Sequence, residues 1–218
     1  MGKRIIIMKG GAAEYAVQRS RFIADTAAVR DEETAQAFLQ EIKKKYYDAR
    51  HHCYGWILEG GRRKKSGDDG EPSGTAGAPI LTALERQGIT DGLIVVTRYF
   101  GGIKLGTGGL TRAYAHAAAQ GLAASTLAEL QMLRRVAVTV AYPLFSPLEN
   151  WLQKNEIRVA DKSYAERVTV SLLLPPAEAA ARQAELTDLT GGRAVWQDGG
   201  ETQELIALTN EEKTSAGP

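Results

Sequence analysis

Residues 95–114, VVTRYFGGIKLGTGGLTRAY, constrain the fold more than any other part of the chain. The apolar run ending in Arg98-Tyr99-Phe100 reads as a buried strand, and the residues beyond the glycines carry helical apolar spacing. Between them lie Gly101, Gly102, Gly106, Gly108 and Gly109. Glycines at this density allow positive φ and close approach of the backbone to a neighbour. The loop runs into a helix expected over about residues 109–124, whose unpaired N–H groups and dipole favour an anion. Arg98, Lys104 and Arg112 place three cations around the same turn. Phosphate, or at least carboxylate, is the expected ligand, centred on residues 108–111. The spacing matches neither G-x-x-x-x-G-K-S/T nor G-x-G-x-x-G. A glycine-rich connection that merely lets a helix pack closely on a sheet explains the segment equally well.

A second dense segment, SGDDGEPSGTAGAPI, occupies residues 66–80. Asp69-Gly70 and Glu71-Pro72 are turn dipeptides. Thr75 is the expected N-cap of a short helix beginning near Ala78, with Pro79 in its first turn and Gly88 at its end. Ile80, Leu81 and Leu84 form the apolar stripe of that helix. These roles leave Asp68, Asp69 and Glu71 over. Solvated turn acids are the ordinary reading. A hard divalent cation is the alternative, without the ligand spacing of an EF-hand.

His51, His52 and His116 are the three histidines, and Cys53 is the single thiol. On a strand, His51 and Cys53 share one face and His52 takes the other. Such a pair can activate a thiolate. A buried cysteine beside a histidine bonded to backbone is the commoner arrangement. Ser66 and Ser73 have no nucleophile-elbow context. Phe100, Trp151 and Trp196 are expected in the core, while Tyr99 stays open between packing and base stacking.

Together, SRFIA at residues 20–24, YDARH at 47–51 with Cys53, DDGEPSGTAG at 68–77, VTRYFGGIKLG at 96–106 and GGLTRAY at 108–114 closely resemble the IMPACT / YigZ family. The resemblance covers about the first 130 residues, and the rest looks like the smaller C-terminal domain of bacterial, YigZ-like members. His51 and Cys53 match the family's H-x-C element. The resemblance implies a first domain similar to the second domain of a small-subunit ribosomal protein. It implies a second domain resembling a ferredoxin-like domain of elongation factor G, and hence contact with RNA or the ribosome. Eukaryotic relatives act in translation control through protein partners of an amino-acid-sensing kinase pathway. Those relatives recruit partners with an additional N-terminal domain not seen in this sequence, so the kinase-pathway role is not carried over. A protein partner in translation control remains an implication.

The pattern along the chain agrees with two units. Residues 1–133 read as an α+β domain with helices on one sheet face. It has β-prone pieces around residues 15–17 and 22–28, a helix over 32–46, and a strand over 53–59 turning at Gly60-Gly61. A short helix over 78–87 and a strand over 93–99 precede the glycine loop. Residues 134–210 read as β-α-β-β-α-β, the ferredoxin-like order, and 211–218 as a frayed tail. The single cysteine excludes an intramolecular disulfide. Residues 4–8 are too short for a signal-peptide core, and no apolar run reaches membrane-spanning length, so a cytoplasmic protein without membrane contact is expected.

The net charge of +1 hides an asymmetry: residues 1–133 carry 18 Lys and Arg against 14 Asp and Glu, residues 134–218 carry 9 against 12. Basic clusters at residues 43–45 and 62–65 read individually as a solvated helix end and a hairpin turn. The excess is compatible with a nucleic-acid face without compelling one. The sequence therefore reads as a non-catalytic RNA- or ribosome-binding protein, a translation-associated regulator with no cofactor or metal. Arg98, Lys104, Gly106, Gly108, Gly109, Thr111 and Arg112 would hold phosphate. The alternative is a metal-assisted enzyme acting on a small phosphorylated substrate, with Asp68, Asp69, Glu71, His51 and Cys53 as candidates.

Overall fold

The computed structural model describes residues 3–209. In chain order it contains β1 (Arg4–Lys9), β2 (Ala12–Val17), β3 (Ser20–Ala27), α1 (Glu32–Lys45), β4 (His51–Leu58), β5 (Arg63–Gly67), α2 (Gly77–Arg86) and β6 (Ile89–Tyr99). There follow α3 (Gly106–Ala123), β7 (Thr126–Val140), a single 3-10 turn, α4 (Phe145–Lys154), β8 (Arg158–Tyr164), β9 (Val168–Leu174), α5 (Ala179–Thr190) and β10 (Val195–Ala207). The described residues divide into two units: the first runs to Leu130 and resumes at Leu205, and the second is Gln131–Glu204.

In the first unit β6 is the spine. β3 runs antiparallel along one edge of it, from Ala27 opposite Leu93 to Arg21 opposite Tyr99. β4 runs antiparallel along the other, from Ile57 opposite Gly92 to His51 opposite Arg98. β2 lies outside β3, and β5 lies outside β4. β1 pairs in parallel with the start of β6 and antiparallel with the start of β7.

Strand alternation decides which helix each side chain meets. Leu93 and Val95 join Trp56 and Leu58 beneath α1, whose Ala35, Leu39 and Ile42 supply the apolar stripe. Ile94 and Val96 join Phe22, Cys53 and Ile57 beneath α2 and α3, which contribute Ile80, Leu84, Leu110 and Tyr114. Helices therefore cover both faces of this sheet, which corrects the expectation of one covered face. Burial on both sides is why residues 93–96 are apolar without a break.

The second unit has the β-α-β-β-α-β order read from the sequence. β9 lies between β7 and β8, and β10 pairs with β7. α4 and α5 cover Val136, Val138, Val170 and Leu172 through Leu148, Leu152 and Leu186. Gly191, at φ +57°, ends α5, and the Gly192 N–H bonds back to the Thr187 carbonyl at 2.8 Å. Trp151 and Trp196 are half-buried at the margin of this core rather than within it. Trp151 sits there because its indole N–H donates to exposed Glu185 at 3.1 Å. No helix among the described residues is long and apolar enough to cross a membrane. The expected tail at 211–218 lies outside the described residues.

Candidate nucleic-acid interface

The register of β3, β4 and β6 brings distant sequence blocks to one end of the first unit's sheet. Phe22 and His51 both pair with Arg98, and Arg21 pairs with Tyr99. At their centre is a buried ion pair. Arg98 donates through Nη1 to Glu71 Oε1 at 2.7 Å, with side chains 6% and 4% exposed. The Tyr114 hydroxyl donates to the same oxygen at 2.8 Å. The Arg98 guanidinium carbon lies 5.4 Å from the ring centres of both Phe22 and Phe100. Among the described residues its Nε has no hydrogen-bond partner, and Nη2 reaches Ser20 Oγ at 3.5 Å, the limit of a bond. This guanidinium has more donors than acceptors around it.

The other two acids of the turn hold the backbone. Asp68 accepts from the N–H groups of Gly74, Ala76 and Gly77 at 2.8, 3.0 and 2.8 Å. It thus caps α2 from outside, a role the sequence assigned to Thr75. Thr75 instead bonds the Pro72 carbonyl at 2.7 Å and is buried. Asp69 accepts from the His52 N–H at 2.8 Å and from Lys43 Nζ at 3.0 Å. Burial by itself raises the pKa of each, but the hydrogen bonds outweigh it, and both carboxyls are held below the ordinary aspartate value.

This has a direction in pH. A lowered folded-state pKa stabilises the protein above the unfolded-state value of about 3.9, and that stabilisation is lost as pH falls through the folded value. Asp68→Asn should therefore cost stability at neutral pH and leave a shallower acid limb below about pH 4. Thermal melts of both proteins from neutral to acid pH check this, and parallel curves would refute the capping role.

Cys53 is buried, with its sulfur 3.0 Å from the Asp68 carbonyl and 3.4 Å from the Tyr114 hydroxyl. Burial, reinforced by the charges of Glu71, Asp69 and Asp68, pushes its pKa up to about 12 despite the Tyr114 bond. The thiol stays protonated. His51 shares its face but places Nδ1 2.9 Å from the Asp69 carbonyl, so the pair is tied to backbone rather than to each other. Among the described residues no group of three His, Cys, Asp or Glu side chains converges on a metal-sized site.

The glycine loop leads into a helix that starts at Gly106, three residues earlier than the sequence suggested. Of its five glycines, Gly102 and Gly106 take positive φ, +85° and +70°. Gly101 serves close approach: a Cβ there would lie 2.0 Å from the Arg19 carbonyl carbon. The first turn of α3 has no side-chain cap and no acidic residue. Lys104, Thr107, Gly108 and Arg112 are exposed, and neither Lys104 nor Arg112 makes an ion pair among the described residues.

Beside this turn lies a pocket of about 390 Å³ whose wall includes Glu71, Arg98, Phe100, Lys104, Gly106 and Thr107. Of the seven expected phosphate ligands, Arg98, Lys104 and Gly106 line it. Arg98 does so as the buried partner of Glu71, not as a free cation. Gly108, Gly109 and Arg112 belong to the first two turns of α3 outside the pocket wall. Thr111 lines a separate groove with Ala78, Pro79 and Ala115, and its hydroxyl bonds the Thr107 carbonyl at 3.0 Å.

Two contributors escaped the sequence. Thr107 carried no signal beyond its glycine neighbours. Phe100, expected in the core, is 51% exposed, because β6 ends at Tyr99 and the alternation stops with it. Ile103, at 43%, adds a second exposed apolar side chain. The two basic clusters are engaged elsewhere. Lys43 and Lys45 pair with Asp69 and Asp25, Arg63 and Lys65 with Glu32, and Lys64 with Glu85.

Known proteins share this layout. The Impact N-terminal domain matches residues 18–122, and a domain of unknown function (DUF1949) matches residues 138–193. The chain is similar to IMPACT family member YvyE of Bacillus subtilis (strain 168), 36% identical over 194 residues, 88% of this chain and 89% of that one. It is 34% identical to IMPACT family member YigZ of Escherichia coli (strain K12) over 179 residues, 81% of this chain and 88% of that one. A solved structure described as the crystal structure of an hypothetical protein superposes with a TM-score of 0.58 at 31% identity, covering 96% of this chain and 98% of the other. With both domains present and identity sustained across most of its length, the chain belongs to the IMPACT family.

Proposed function

We propose that this protein is a non-catalytic, cytoplasmic RNA- or ribosome-binding protein, a translation-associated regulator that grips phosphate through the start of α3. The observation that carries this reading is the exposed first turn of α3. It is uncapped, free of acids, and flanked by Lys104 and Arg112. Free N–H groups and a positive dipole end favour an anion there. Exposed Phe100 beside the turn offers an aromatic face, the usual platform for an unpaired base. In this reading the first unit is a ribosomal-protein-like domain, and the second is a ferredoxin-like domain giving a further contact surface. The metal-assisted alternative gains nothing from Asp68, Asp69 and Glu71, since each is already held by backbone N–H groups or by Lys43, Arg98 and Tyr114.

Equilibrium binding of a labelled structured RNA and a matched single strand across a salt series tests the proposal. Affinity for the single strand should fall log-linearly with salt. Replacing Lys104 or Arg112 by Ala should each reduce the slope by about 0.7. Absence of saturable binding at low salt, with either RNA, would overturn the reading.

A further inference from the structure

The pocket beside α3 combines a buried floor with an exposed rim. Its floor is buried: Arg98 and Leu110 are each 6% exposed, and the Glu71 side chain 4%. Its rim is exposed: Pro72, Phe100, Lys104, Gly106 and Thr107. A volume of about 390 Å³ falls near the lower end of the range for small-ligand sites, about 300–1,000 Å³. A pocket of that size suits a single monomer or a chain end.

The charges of the wall narrow the ligand. Arg98 and Lys104 oppose Glu71, which leaves one net positive charge, and the start of α3 adds about half a charge more. A phosphodiester carries a single negative charge. A phosphomonoester carries about −1.5 to −2 at neutral pH and so matches the wall more closely. The Arg98 guanidinium has five N–H donors. Among the described residues one meets Glu71, Nη2 has a marginal bond to Ser20, and Nε has none. That is an unusual excess for a side chain so fully buried. Phe100 completes the wall. One face of its ring meets Arg98, while half of its surface is open to solvent, where a planar base can stack.

Resting on the RNA-binding proposal, we infer that this pocket takes a nucleoside phosphomonoester. The phosphate lies on the α3 N-terminus and Lys104, and the base lies on Phe100. Two sources present this chemistry: a free nucleoside monophosphate and the phosphorylated end of an RNA strand.

The test compares a short single-stranded RNA bearing a 5′- or 3′-terminal phosphate with the same strand ending in hydroxyls. Adenosine and guanosine monophosphates, the corresponding nucleosides and inorganic phosphate serve as competitors. One phosphorylated end is expected to bind at least about tenfold tighter, a difference of about 1.4 kcal/mol. Monophosphates should compete where nucleosides do not. Lys104→Glu should abolish that preference and Phe100→Ala should remove the advantage of the monophosphates over inorganic phosphate, while circular dichroism shows the fold intact for both changes, which lie at exposed positions. Monophosphate binding without RNA binding would keep the pocket and identify a free nucleotide as its ligand, while overturning the RNA proposal. RNA binding indifferent to end phosphate, with no competition by monophosphates, would overturn the pocket inference and leave the RNA proposal standing. Competition by inorganic phosphate as strong as by the nucleotides would overturn the role of Phe100.

Discussion

Replacing Glu71 by Ala is expected to destabilise the protein by about 3–5 kcal/mol, the usual cost of leaving one member of a buried ion pair without its partner. Arg98 would remain charged at 6% exposure, and the Tyr114 hydroxyl would lose its acceptor. The double variant Glu71→Leu with Arg98→Met removes both charges and should recover most of that loss, because well-packed apolar replacements of buried pairs are often neutral. Urea denaturation followed by circular dichroism gives both numbers. A Glu71→Ala loss below about 1 kcal/mol would mean that water reaches the pair, as it does in surface salt bridges. The consequence for binding is direct, since Glu71 fixes the guanidinium that forms the pocket floor.

Gly101→Ala comes next in expected size, at about 3 kcal/mol, the upper end of ordinary overpacking costs. The new methyl would lie 2.0 Å from the Arg19 carbonyl carbon, 2.2 Å from its oxygen and 2.4 Å from the Ser20 nitrogen. All three are backbone atoms, so no side chain can turn away. Either the start of β3 or the glycine loop must move, and the Gly101 N–H bond to Ser20 Oγ, 3.2 Å long, goes with it. Gly102 supplies the control. Its φ of +85° disfavours a side chain, yet a Cβ there meets nothing within 4 Å among the described residues. Gly102→Ala should cost about 1–2 kcal/mol through backbone conformation alone. Equal losses in chemical denaturation would remove the distinction between crowding and φ. A larger loss at Gly102 would reverse it.

These two neighbours show what the sequence made legible. A cluster of glycines announced unusual backbone, and the structure divides the reasons between positive φ and close approach, which composition cannot separate. The start of α3 was misplaced because Gly106, Gly108 and Gly109 are poor helix formers, although a first turn stabilised by packing tolerates them. Thr75 satisfied the local rule for an N-cap, but Asp68 reaches the same N–H groups from eight and nine residues away. Local patterns do not encode such reach. The helical stripe of residues 35–42 fixed α1 as a helix and left open which sheet face it covers. The partner of Arg98 lies 27 residues away in a turn whose acids looked interchangeable. In the folded chain those acids divide into a helix cap, a strand brace and a buried counter-ion.

The placement of β1 bears on how the chain is made. Its two partners are the start of β6 and the first residues of β7, so its pairings with Ile89, Asp91 and Leu130 all wait for distant sequence. During synthesis this strand leaves the ribosome before both partners and can be seated only after nearly all of the first unit has followed. Contacts so far apart in sequence form slowly, because a long loop must close first. Until then Ile5, Ile6 and Ile7 are an unpaired β-prone run of the kind that self-associates. Lys3 and Arg4 on one side and Lys9 on the other place like charges at both ends of that run. Flanking charges of this sort discourage neighbouring nascent chains from pairing through it. The basic residues beside the first strand thus guard the protein before it is folded.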